Sequence, residues 1–113
     1  MRKITSDAVD AFENFESFKR SNTSVCITKR NGEPVRASLI LHGHEIAEKR
    51  KVGLKITLAG YNTRTTRERL NGISGVHIIC RNGQAFIKGG SCYQTIDDDE
   101  EIVFDKNREI TSL

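Results

Sequence analysis

Tryptophan is absent from this chain, and tyrosine occurs only twice beside five phenylalanines. A large aromatic stacking platform is therefore not expected. No apolar run approaches the length that a membrane-crossing helix needs. Basic residues stand at Arg2 and Lys3, but no apolar stretch follows them, so no secretory leader is expected. Cysteine occurs three times, at Cys26, Cys80 and Cys92. That odd, widely spaced set is not a disulfide framework, and it fits a cytoplasmic protein. Glycine loops of the phosphate-binding spacings are missing, as are Cys-x-x-Cys and helical His-Glu-x-x-His. The glycine-rich segment Gly89-Gly90-Ser91-Cys92 offers a thiol but no adjacent base. No catalytic residue is assigned, no enzyme is expected, and no cofactor is implied. His42 and His44 would share a strand face if the strand ran through Gly43, and His77, Cys80 or Cys92 would be the residues to complete a metal site. The spacing is too weak a signal, so they are read as turn histidines and no metal is assigned.

What is present is a globular composition: 113 residues, 36% hydrophobic and 29% charged. That length suits one domain with a modest core. The net charge of +3 conceals an asymmetry. Residues 1–96 carry 16 Lys and Arg against 8 Asp and Glu, whereas residues 97–113 carry 2 against 7. The chain is accordingly divided into a compact domain, 1–96, and an acidic C-terminal tail, 97–113. A basic body favours polyanions or acidic protein surfaces.

Apolar periodicity predicts the elements. Ala8, Phe12, Phe15 and Phe18 form a stripe on a helix from Ser6 to Lys19, with Ser6 as its cap and the stripe facing a core. Val25 and Ile27 alternate with polar neighbours in a half-buried strand. Asn31-Gly32 and Asn82-Gly83 are type I′ hairpin signals. Val35, Ala37, Leu39 and Leu41 share a strand face, Glu45 to Glu48 form a short strand after Gly43, and Leu54, Ile56 and Leu58 form another. Connections this short make neighbours antiparallel. Thr65-Thr66-Arg67-Glu68 reads as a capping box that opens a short helix, closed by a left-handed Gly72. Strands around Val76–Cys80 and Ala85–Lys88 follow. The run Asp97 to Glu101 reads as solvated, Ile102-Val103-Phe104 as an added edge strand, and residues from Asp105 as frayed. The expected fold is α+β: an N-terminal helix packed on a meandering antiparallel sheet of five or six strands, with a second short helix before the last hairpin. A bare edge strand in such a sheet would also allow a homodimer.

The densest charge surrounds the second helix. Arg64, Arg67 and Arg69, with Asn62, Lys55 and the run Lys49-Arg50-Lys51, form the candidate macromolecule-binding set. Forked guanidinium donors and helix amides suit phosphate or carboxylate. The competing structural reading is a solvated helix with one arginine paired to Glu68. The partner is a host or phage protein or a protein–nucleic-acid complex; the alternative is direct nucleic-acid binding by the patch of residues 49–69. The acidic run solubilises, folds back over the basic patch, or imitates nucleic-acid phosphate.

The segments Ile56-Thr57, Ala59-Gly60-Tyr61, Thr65-Thr66 and Glu68-Arg69-Leu70-Asn71 resemble a family of small bacteriophage accessory proteins, early and non-structural. Leu41-His42-Gly43, Ile46-Ala47 and the opening Arg2-Lys3-Ile4-Thr5 resemble the same family, so the likeness runs from Met1 to Gly90. Members carry tryptophan where Tyr61 stands and asparagine where His44 stands, and the acidic tail resembles an addition. The resemblance implies a viral protein made in the host bacterium's cytoplasm that binds and modulates, by inhibition, host or phage machinery.

Overall fold

Alternating apolar residues and tight turns build most of this molecule, which a computed structural model describes over residues 2–112. Helix α1, Lys3–Glu13, is followed by strands β1 (Phe18–Arg20), β2 (Thr23–Arg30), β3 (Glu33–Leu41), β4 (His44–Arg50) and β5 (Gly53–Thr57). Helix α2, Arg64–Asn71, leads to β6 (Ile78–Arg81), β7 (Gln84–Gly89), β8 (Cys92–Ile96), β9 (Glu101–Asp105) and β10 (Ile110–Ser112). One antiparallel sheet has seven strands in the order β1-β2-β3-β4-β5-β9-β10, and a second has three, β6-β7-β8. The α+β class stands, but the described residues hold ten strands in two sheets rather than five or six in one.

The hairpins follow from backbone chemistry. Asn31 and Gly32 have φ of 53° and 79°, and Asn82 and Gly83 have 50° and 78°. Both central residues of a type I′ turn need positive φ. His42 and Gly43 adopt the same pair, 52° and 80°, so Gly43 turns the chain between β3 and β4 instead of interrupting a strand.

Helix α1 is shorter than its phenylalanine stripe suggests. It starts before Ser6, with Arg2 as an N-cap that makes no side-chain cap bond, and ends at Glu13. Phe15 takes φ of 54°, while the Glu16 amide donates to the Ala11 carbonyl at 2.8 Å. These are the marks of a Schellman closure with phenylalanine in the place glycine usually fills. Phe12 is fully buried, whereas Phe18 has left the helix and begins β1.

The stretch read as a tail closes the large sheet. Strand β9 lies between β5 and β10, with Leu54 paired to Phe104 and Ile56 to Ile102. Ile102 and Phe104 are each 1% exposed. Beyond Asp105 the chain turns and returns as β10 instead of fraying. The acidic residues that precede β9 occupy a turn that docks by backbone: the Gly60 amide donates to the Asp98 carbonyl at 2.7 Å.

A continuous core joins Ala8, Val9 and Phe12 of α1 with Leu70 of α2, Ile87 of β7 and the inward side chains of the large sheet. The two helices and the small sheet thus cover one face of the large sheet. The opposite face carries charge: Glu48 meets Arg36, Arg50 and Lys55, and Lys55 also reaches Glu101 at 3.3 Å. Gly72 marks where the helices touch. Its φ of −71° is right-handed helical, not the left-handed cap expected, and a Cβ there would lie 2.9 Å from Val9 Cγ2. Close approach of α1 is what requires glycine.

Phe104→Ala is expected to cost about 3–5 kcal/mol, the usual loss for emptying a buried phenylalanine site. Urea unfolding checks it; a frayed terminus would leave the midpoint unchanged.

Candidate functional site

Helix α2 is entered two residues earlier than the capping box suggests. Thr63 is the N-cap, and its hydroxyl accepts from the Thr66 amide at 3.1 Å. Thr66, Arg69, Leu70 and Ile73 then form the inward stripe, and all four are buried. Arg69, placed among the surface contacts by sequence, is only 1% exposed. Its Nε donates to Thr23 Oγ1 on β2 at 3.1 Å, and its Nη1 donates to Thr5 Oγ1 on α1 and to Glu68 Oε1 at 2.9 Å. Glu68 does not reach back to its own helix start. Its Oε1 accepts from Thr5 Oγ1 at 2.6 Å and from Arg2 Nε at 2.9 Å. The Thr5 hydrogen bond, helped by Arg2, holds the Glu68 carboxyl below its ordinary pKa. Burial pulls the Arg69 guanidinium down, opposed by Glu68. An arginine starts so high that it stays charged.

The other basic residues do not form one patch. In the β4–β5 hairpin Arg50 pairs with Gly53 and Ala47 with Ile56. Lys51 therefore sits at one end and His44, beside the entry to α2, at the other, about 20 Å away at ~3.3 Å per residue. Lys49 points into the covered face, where its Nζ donates to the Glu13 carbonyl, lies 3.3 Å from Glu13 Oε1 and sits 4.9 Å from the Phe15 ring centroid. Arg50 and Lys55 are held by Glu48. Burial alone would raise the Glu48 carboxyl, but the Arg50 hydrogen bond and the charges of Arg36 and Lys55 bring it below its ordinary value. Arg67 donates to both oxygens of Asn62, whose own amide donates to the Gly83 carbonyl at 3.2 Å. That chain of bonds ties the entry of α2 to the β6–β7 hairpin. Of the eight candidates only Lys51 and Arg64 make no side-chain bond among the described residues.

What the structure does gather beside Arg64 is a pocket of about 320 Å³. Leu41, Ile46 and Leu58 supply its apolar walls, and Thr63, Thr65 and Thr66 its polar side. Tyr61, 52% exposed, stands at its mouth against the His44 ring, centroids 5.0 Å apart and planes inclined at 41°. The loop that delivers Tyr61 is bent by two successive positive-φ residues, Ala59 at 55° and Gly60 at 84°. An alanine in that region is uncommon, and the Thr57 hydroxyl helps hold it by accepting from the Ala59 amide at 3.1 Å. Tyr61 and His44 are not in the macromolecule-binding set read from the sequence, where His44 figures only as a turn histidine weighed for metal. An aromatic between Gly60 and Asn62, in a turn with no apolar periodicity, was the available signal. His42 lies outside this pair's ring contact and sits 3.3 Å from Asn22 Nδ2. Among the described residues no three His, Cys, Asp or Glu side chains are grouped to hold a metal ion.

Residues 1–111 match the family described as the Kyanoviridae Gp96 protein. The chain belongs to that family. It is a cyanophage family, as the resemblance to bacteriophage accessory proteins implies. The match extends through β9 and into β10, so the acidic segment falls within the family's span instead of lying beyond it. No curated protein and no solved structure matches the chain. Of the residues that carry the resemblance, Ala47, Ile56 and Leu70 are core, and Glu68, Arg69 and Asn71 tie elements together. Leu41, Ala59, Tyr61, Thr65 and Thr66 surround the pocket.

Arg69→Ala is expected to destabilise the fold by about 1–3 kcal/mol, since it empties a buried site and takes one partner each from Glu68, Thr5 and Thr23, which keep Arg2, Glu68 and Asn22 respectively. An exposed contact arginine would cost under ~0.5 kcal/mol on truncation. Chemical unfolding of the variant distinguishes the two. Glu68 and Glu48 have folded pKa values below their unfolded ones, so their stabilisation is complete above the unfolded carboxylate pKa and is lost as pH falls through the lowered folded value. The melting temperature should be level from pH ~7 to ~5 and fall below that; Glu68→Gln should flatten part of the fall.

Proposed function

We propose that this protein is a non-catalytic phage accessory protein that binds and modulates a host or phage protein, or a nucleoprotein assembly, in the cytoplasm of the infected bacterium. The observation that carries this reading is Tyr61, half exposed and braced on His44 above an apolar-walled pocket, with Arg64, which makes no side-chain bond among the described residues, three residues further on. Tyrosine and arginine dominate binding hot spots, because each offers a large contact area with a directed polar end. The pocket beneath is of a size to accept one or two apolar side chains. On its other flank the acidic turn is anchored at Gly60, so Asp97, Asp98 and Asp99 stand exposed beside the same loop. The matching partner surface has an apolar knob next to basic residues. Free, exposed Cys26 and Cys92 accord with a reducing compartment.

Direct nucleic-acid binding along residues 49–69 draws less support. Lys49, Arg50, Lys55 and Arg69 are all held by carboxylates, and the stretch is divided between two ends of a hairpin.

Affinity capture from phage-infected host lysate, followed by titration of the purified partner, tests the proposal. Tyr61→Ala should weaken binding by about 2 kcal/mol or more, as hot-spot truncations do. Arg64→Glu should also weaken it, and Lys51→Ala, at the far end of the hairpin, should leave it intact. If wild type and Tyr61→Ala retain the same partner with equal affinity, the pocket is not the contact.

A further inference from the structure

Between Glu68 and Asp97 the chain contains no carboxylate side chain, and that interval includes the whole small sheet. The sheet is amphipathic across its two faces. Ile78, Ala85, Ile87 and Ile96 point into the core and are at most 3% exposed. The alternate residues face outward, and at the His77 and Lys88 end residues 108–111 of the β9–β10 region stand beside them. Register places Ile79 opposite Phe86, Phe86 opposite Thr95, and Lys88 opposite Tyr93. Phe86 and Tyr93 are thus diagonal neighbours on the outer face, about 7–8 Å apart along the backbone. Tyr93 is 42% exposed and stands edge-on to His77, ring centroids 6.1 Å apart. Phe86 and Ile79 are half-buried and do not belong to the core cluster.

The sheet's own charges are of one sign, although Glu109 of the β9–β10 turn lines the pocket beside Lys88. Arg81 lies at the β6–β7 turn, beyond Phe86, and Lys88 lies near the β7–β8 turn, directly opposite Tyr93. Neither makes a side-chain hydrogen bond or ion pair among the described residues. At the β6 edge the sheet is closed, because the Asn71 side chain donates to the Ile78 carbonyl at 2.9 Å and accepts from its amide at 2.6 Å. Arg64 and Arg67 line the shallow cleft at that edge together with Glu68, Asn71 and Ile78.

We infer that the outer face of β6-β7-β8 binds single-stranded nucleic acid, with two successive bases lying on Phe86 and Tyr93 and the backbone phosphates met by Arg81 and Lys88. Stacking on sheet-borne aromatics between cations is how open strands are held without base-specific contacts. A duplex fits poorly, since its bases are already stacked and the face is flat, without a helix or ribbon to enter a groove. An acidic protein partner would match the charge but leave the paired rings without a role. The platform is small, one phenylalanine and one tyrosine, which suits a short footprint. The four residues invoked, Phe86, Tyr93, Arg81 and Lys88, differ from those of the Tyr61 pocket, so the two readings are tested by different variants.

The test is fluorescence anisotropy with a labelled oligothymidylate of about twelve nucleotides, within the usual footprint of such surfaces. The full chain should bind in low salt, with log affinity falling against log salt at a slope near −1.4 for two phosphate contacts. Tyr93→Ala and Phe86→Ala should each weaken binding about tenfold, the effect of losing one stacked base, and Tyr93→Phe should not. Lys88→Ala should flatten the slope by about 0.7. Tyr61→Ala should bind as wild type does. Tyr93 lies outside the core, so its alanine variant should keep the wild-type melting temperature, and it decides the matter if Phe86→Ala does not fold. Absence of binding in low salt, equal binding of duplex, or unchanged binding by Tyr93→Ala would each overturn the inference. So would a dimer in solution that Tyr93→Ala converts to monomer, since the face would then be occupied by a second copy.

Discussion

A guanidinium taken out of water loses several kcal/mol of hydration, and only well-placed oxygens restore it. Arg69 is in that position. Two of its partners come from elements distant in sequence, Thr5 on α1 and Thr23 on β2, and the third, Glu68, stands beside it on α2. Apolar packing alone would let the short helix α2 slide or rotate on the core, because dispersion contacts have little directionality. The arginine fork does not allow it. Each donor needs its acceptor at hydrogen-bond distance, and this fixes α2 in both depth and rotation. Gly72, pressed against Val9 and Thr5, shows how closely the two helices then approach.

From that fixed helix the rest of the surface takes its form. Thr63 caps α2, Arg67 and Asn62 brace the incoming loop against the β6–β7 hairpin, and Tyr61 is delivered to the pocket mouth. Asn71, on the same helix, closes the edge of the small sheet. The charge network centred on Glu48 is a separate arrangement on the opposite face of the large sheet. It covers a row of backbone that would otherwise be bare, and cross-strand pairs of this sort contribute modestly to sheet stability.

Much of the fold was legible before any coordinates. Asn31-Gly32 and Asn82-Gly83 announced their hairpins, and the alternation at Val35 to Leu41 announced a strand, because type I′ geometry and the pleat leave direct marks on residue choice. Where the reading failed, an unusual residue occupied a standard place. Phe15 closes α1 where glycine is normal, so the helix seemed to run on to Lys19 and β1 was hidden within it. The acidic run ahead of Ile102 suggests a solvated tail, and the strand expected at Ile102-Val103-Phe104 lies between β5 and β10 instead of at an edge. Arg69 reads as a surface contact because it falls in the densest run of basic residues. Its spacing said otherwise: Thr66, Arg69, Leu70 and Ile73 keep the inward rhythm of a helix. The site at Tyr61 left the faintest trace, since pockets are made by loops brought together only in the folded chain.

One feature of the large sheet bears on how the chain reaches this state. Strand β9 is inserted between β5 and β10, yet it is synthesised after every strand of the small sheet. Gly53 must wait for Asp105. On a ribosome the meander β1 to β5 can zip up from its hairpins as it emerges, while the hydrogen-bonding edge of β5 stays unsatisfied until β9 arrives. An unsatisfied edge is a template for other chains, and a contact of long sequence separation forms late. The last strands thus act as the latch of the sheet: an incomplete chain exposes a sticky edge, and only a finished one conceals it.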